Sequence, residues 1–101
     1  MTLSELQQQR READKNYWDN RETIDEWTRH VLERITKAAD KMSDFCSQRA
    51  RKVNVSDAVI RTEVIPDLLG YALQLANLFE LDVEEQYQQR VNEVRAKIEK
   101  R

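Results

Sequence analysis

A chain of 101 residues that holds one glycine and one proline has little to turn with. Glycine supplies the left-handed backbone of tight turns and proline pre-sets their first corner, so an all-β domain of this length would use several of each. A few long helices joined by short loops are the architecture left. The apolar pattern points the same way. Ile24, Trp27, Val31, Ile35, Ala38, Met42 and Phe45 follow one another in steps of three and four, which puts them on one helical stripe facing a core. Asp19 or Asn20 stands where a cap would be, Glu22, Asp25 and Glu26 suit the positive end of the helix dipole, and the stripe predicts an end near Arg49.

Three further helices are expected. Leu3, Leu6, Ala13 and Tyr17 form a thin stripe in the opening segment. After a short loop near residues 52–55, Ser56 and Asp57 offer a cap for a segment that runs to Phe79 and is apolar round most of the helix. Such a helix must be buried nearly all round, and three neighbours in so small a chain do not suffice, so a second subunit is expected against it, giving a homodimer. Pro66 within it predicts a kink or a restart, because proline lacks a backbone donor and its ring meets the carbonyl four residues back. Asp82, with Glu85 three residues on, opens a last helix that carries Val83, Tyr87, Val91, Val94 and Ile98 on a stripe wanting one partner surface. The expected fold is therefore a single all-α domain over residues 1–101, a four-helix bundle.

Composition removes several classes of function. A net charge of −2 gives no overall attraction to nucleic acid or an anionic membrane, and no apolar run approaches the roughly 20 residues of a membrane span. Cys46 is alone and the N-terminus lacks a charged start followed by an apolar run, so a cytoplasmic protein without a disulfide framework is expected. One His and one Cys, with no HExxH, CxxC or Gly-rich phosphate loop, leave zinc and P-loop chemistry no foothold. Cys46, beside Phe45, reads as a small buried hydrophobe, and His30, one place before Val31, as a residue at the bundle's edge. Carboxylates remain. A bundle can aim acids from two facing helices at Mg²⁺, which takes oxygen ligands and a substrate's phosphates, and Glu63 and Asp67, four apart, can face one way.

From about Ile35 to Arg95 the chain resembles the MazG-like nucleoside triphosphate pyrophosphohydrolases. "DLLGYALQLANLFELDVEE" looks like that family's helix after its ExxD motif, the turn and the start of the last helix; "HVLERITKAADKM" looks like the helix that carries its ExxE motif. "VNEVR", with Asn92 and Arg95, is similar to the Asn and Arg that the family's last helix presents to phosphates. The resemblance implies an all-α, usually dimeric enzyme that binds Mg²⁺ through those two motifs. The departures matter as much. With Asp67 on the Asp of ExxD, Val64 stands on its Glu and Glu63 falls one place early; Ala38 and Lys41 stand on the two acids of ExxE. Four converging carboxylates without a metal repel one another, whereas Ala, Val and a Lys able to pair with Asp67 or Glu63 make the same pocket stable when empty.

Three functions follow from these residues. The first is a divergent scaffold with an incomplete Mg²⁺ set, acting as a nucleotide-sensing or protein-interaction module. The second is an active house-cleaning enzyme that splits a nucleoside triphosphate into monophosphate and pyrophosphate, with Glu63 and Asp67 joined by Glu33 or Asp40 as metal ligands in a shifted register. The third is a histone-like DNA binder, since "FCSQRARKVNVSDAV" is similar to the end of a histone fold's central helix and clusters Arg49, Arg51 and Lys52; the acidic balance opposes it.

Overall fold

The computed structural model describes residues 1–17 and 22–100. The expected caps Asp19 and Asn20 lie outside the described residues. Among those described, the chain is all-helical: α1 (Leu3–Asp14), α2 (Ile24–Ala50), α3 (Ile65–Leu78) and α4 (Val83–Glu99), with a π-helical turn at Ile60–Val64 leading into α3. No described helix is long and apolar enough to cross a membrane.

Three of the four helices start on a side-chain cap. The Thr2 side chain accepts from the Glu5 N–H at 3.1 Å and the Glu5 carboxylate accepts from the Thr2 N–H at 3.2 Å, a reciprocal cap on α1. Thr23 accepts from the Glu26 N–H at 3.1 Å and caps α2. Asp82 accepts from the Glu85 N–H at 3.2 Å and caps α4, as its spacing predicted. Pro66 does not break the chain's helical path, but the regular α-helix begins at Ile65, with the proline in its first turn, the restart that the sequence predicts. Val64 and Ile65 keep right-handed helical angles and the Ile65 N–H reaches back five residues to Ile60, so the widened turn just before the proline absorbs the mismatch that its missing N–H creates.

The scarcity of glycine shows at the helix ends. Lys52 (φ 61°) and Glu80 (φ 53°) both occupy left-handed backbone, and each closes a terminal loop: Val53 N–H donates to Gln48 and Lys52 N–H to Arg49, Leu81 N–H to Ala76 and Glu80 N–H to Asn77. That position favours glycine, because a Cβ there costs ~1–2 kcal/mol. The chain's one glycine sits instead inside α3, where a Cβ at Gly70 would meet only Arg10 Nη1 at 3.9 Å, an ordinary contact. Two changes are therefore expected to stabilise. Glu80→Gly and Gly70→Ala should each add about 0.5–1 kcal/mol and raise the melting temperature by roughly 4 °C, measured by thermal circular dichroism.

The core lies between α2 and α3. Trp27, Val31 and Ala38 of α2 are buried with Val64, Leu73 and Ala76, while Ile35, Met42 and Phe45 of the expected stripe are half-buried and Ile24 is exposed. Cys46 is exposed, not buried: one residue past Phe45 turns it about 100° round the helix, off the core face. His30 is exposed too, its Nε2 3.1 Å from Glu22 Oε2.

The first helix departs most from expectation. Ala13 and Tyr17 are exposed and Leu3 and Leu6 only half-buried; the buried residues of α1 are Gln7 and Asp14. α1 lies against α3 and α4 through a polar face. Gln7 Nε2 donates to the Leu81 carbonyl at 2.6 Å, the Val83 N–H donates to Gln7 Oε1 at 3.1 Å, and Asn77 Nδ2 donates to the Gln7 carbonyl at 3.2 Å.

The molecule is extended. Its radius of gyration is 16.7 Å, where about 13 Å is usual for a domain of this length. α3 presents Ile65 and Leu69 to solvent, as does Phe79 just past its end, and α4 has no buried residue at all. The faces the sequence assigns to partners are not covered within the chain.

Candidate functional site

The carboxylates singled out from the sequence do not converge. Lys41 Nζ of α2 stands 3.7 Å from Glu63 Oε1 in the π turn, both side chains about half exposed; such a pair contributes no more than about 1 kcal/mol. Ala38 and Val64, which stand on two of the acid positions of the resembled motifs, are buried in the α2–α3 core. Asp67 faces elsewhere, into a cleft between the first three helices. Glu33 and Asp40 are exposed on α2. Among the described residues no group of three or more His, Cys, Asp or Glu side chains is gathered so as to hold a metal ion. Mg²⁺ takes an octahedron of oxygens around one point; here an ammonium group lies beside one of the two acids and the other lines a different cleft.

The cleft has a volume of about 350 Å³ and is lined by Arg10, Asp14, Tyr17, Arg34, Asp67 and Tyr71, among others. α1 supplies its wall through a buried network. Arg10 Nε lies 3.1 Å from Asp14 Oδ2, and the other Asp14 oxygen accepts from Gln74 Nε2 at 3.3 Å. Gln74 is wholly buried, and among the described residues its Oε1 has no hydrogen-bond partner. On the far wall the Arg34 guanidinium lies 5.0 Å from the centre of the Tyr17 ring, a cation–π distance, and that ring packs against Trp27 with centroids 5.6 Å apart. Two guanidinium groups, Arg10 and Arg34, thus share the cleft with two carboxylates, Asp14 and Asp67. Hydrogen-bonding to Arg10 and Gln74 already commits Asp14.

Sequence reading missed Arg10, Arg34 and Gln74. Gln74 and Asn77 interrupt the otherwise apolar "YALQLANLF", and two amides inside such a run were the available sign that a polar partner packs there.

The expected phosphate ligands lie on α4. Asn92 Oδ1 accepts from Gln88 Nε2 at 3.2 Å, and Arg95 lines a groove with Tyr87, Val91 and Val94; neither lines the cleft of α1–α3. In the basic cluster, Arg49 lies 5.0 Å from the centre of the Phe45 ring and Arg51 Nε donates to the Ser47 carbonyl at 3.4 Å. Both arrangements suit cations at the negative end of α2.

Compared with protein-family models, curated proteins and solved structures, the chain finds no significant match.

Proposed function

We propose that the chain is a self-associating helical module, a divergent relative of the MazG-like scaffold whose cation pocket is closed, serving nucleotide sensing or protein interaction and not hydrolysis. The observation that carries this reading is surplus surface. A monomer of 12.1 kDa is expected to expose about 6,000 Å², and this chain exposes 8055 Å². Ile65 and Leu69 of α3 and Tyr87, Val94 and Ile98 of α4 are among the exposed apolar side chains that a second copy would cover. Lys41 beside Glu63, with Ala38 and Val64 in the core, supports the closed pocket, and Arg34 over the Tyr17 ring supports an anionic ligand such as a nucleotide.

Two measurements test it. Sedimentation equilibrium is expected to give a homodimer at micromolar concentration. Titration of Mg²⁺ by calorimetry is expected to give no binding heat, and a panel of nucleoside triphosphates with Mg²⁺ no pyrophosphate. Stoichiometric Mg²⁺ binding with pyrophosphate release would replace this reading with the house-cleaning enzyme, in which Glu63 and Asp67 act with Glu33 or Asp40.

A further inference from the structure

We infer that the cleft between the first three helices binds a small zwitterion, a free amino acid with an apolar side chain, its carboxylate on Arg34 and its ammonium on Asp67. The site lies within one chain and does not depend on self-association.

Two of the charged groups that line the cleft are paired with each other. Arg10 Nε lies 3.1 Å from Asp14 Oδ2, and the second Asp14 oxygen accepts from Gln74. The other two are left over. Arg34 of α2 and Asp67 in the first turn of α3 line the same cleft without reaching each other, and among the described residues neither side chain makes a hydrogen bond or an ion pair. What Arg34 does touch is the Tyr17 ring, 5.0 Å from its centre.

That contact prepares Arg34 for a carboxylate. A guanidinium carries five N–H donors in one plane and no acceptor, so a ring against its face leaves the donor edge open to a bidentate partner. The ring is itself held. Tyr17 packs against Trp27 with centroids 5.6 Å apart, and Trp27 against His30 at 5.2 Å. Arg34 is half-buried, and fixing its fork before a ligand arrives lowers the ordering cost of binding. On the opposite wall Asp67 stands one turn before Gly70 and Tyr71 on the same face of α3. Gly70 adds no side chain there, so the floor beside Asp67 stays open.

Charge and size choose the ligand. Two cations and two carboxylates balance, so the phosphates of a nucleotide would meet Asp14 and Asp67 as well as Arg34, and a bare cation would meet both arginines. A molecule that carries one charge of each sign satisfies the two unpaired groups and keeps the balance. The cleft's volume of about 350 Å³ lies at the lower end of the roughly 300–1,000 Å³ of small-molecule sites, which suits a molecule of amino-acid size. Pro66 and the rings of Tyr17 and Tyr71 offer apolar surface to its side chain.

The test is titration of the full chain with L-leucine and L-phenylalanine, followed by heteronuclear NMR. Each is expected to bind with a Kd of about 1 mM or tighter and to shift the amides of Gly70 and Tyr71. Leucinamide, which lacks the carboxylate, and N-acetyl-L-leucine, which lacks the ammonium, should each bind about ten-fold more weakly or worse. Arg34→Gln and Asp67→Asn should weaken leucine by a similar factor, and Asp67→Asn, at an exposed position, keeps the test standing if Arg34→Gln fails to fold. No binding of either amino acid up to about 10 mM would overturn the inference. So would N-acetyl-L-leucine or adenosine monophosphate binding as tightly as leucine, which would make this an anion site, and so would leucine binding that neither substitution moves. A monomeric chain that binds leucine as expected would support the site while self-association fails.

Discussion

Gln7→Ala is expected to destabilise the chain by about 3 kcal/mol and to lower its melting temperature by more than ~10 °C. One side chain here closes two backbone groups of another segment. Its amide donates to the Leu81 carbonyl at 2.6 Å and its oxygen receives the Val83 N–H at 3.1 Å. Val83 is the first residue of α4, and its N–H is one of those that no helical carbonyl can reach. Gln7 is 7% exposed, so alanine leaves a donor and an acceptor without partners where water enters poorly, at about 1–1.5 kcal/mol each. Gln8→Ala is the control: Gln8 is exposed, its Nε2 donating to Glu12 within the same helix at 3.2 Å, and its loss should stay within about 0.5 kcal/mol. Thermal circular dichroism measures both, and hydrogen exchange at the Val83 amide should accelerate only in Gln7→Ala. Equal melting temperatures for the two variants would remove the claim that α1 and α4 are joined by this residue.

The same contact explains what the sequence revealed and what it hid. Helices two to four were legible because each carries its own apolar repeat, and the repeat that placed Trp27, Val31 and Ala38 on one face finds all three buried. α1 was legible as a helix but not in its docking. Hydrophobic periodicity assumes that the packed face is the apolar one, and α1 packs with Gln7 and Asp14, seven residues apart on one face. Pro66 was visible as a disturbance, yet a proline alone does not distinguish a break from a widened turn. The candidate ligands show a similar limit. Spacing placed Glu63 and Asp67 on one helix and Lys41 within reach of one of them, and the structure pairs Lys41 with Glu63; only coordinates place Arg10 and Arg34 in the cleft with Asp67.

Asp14→Ala and Gln74→Met should move stability unequally, although the two residues share a hydrogen bond. Asp14 is 4% exposed and accepts from both Arg10 and Gln74. Alanine there frees Arg10, which is partly exposed and can turn to water, but strands the wholly buried Gln74 amide, and the expected loss is about 2–3 kcal/mol. Gln74→Met removes an amide whose oxygen lacks a partner among the described residues, keeps the volume, and leaves Asp14 with Arg10; its cost is expected to stay below ~1 kcal/mol. In the double variant no amide is left to strand, so the losses should fall short of additivity by about 1 kcal/mol or more. Urea unfolding of the four proteins measures this directly. Strict additivity would show that the pair is not coupled. If Gln74→Met is instead neutral or stabilising, an interior amide that weakens α3 has been kept where leucine or methionine would serve better. The role then left for it is to fix the register of α1, because a helix docked by polar groups has a partner at only one position along its axis, whereas a greasy stripe can slide by a turn.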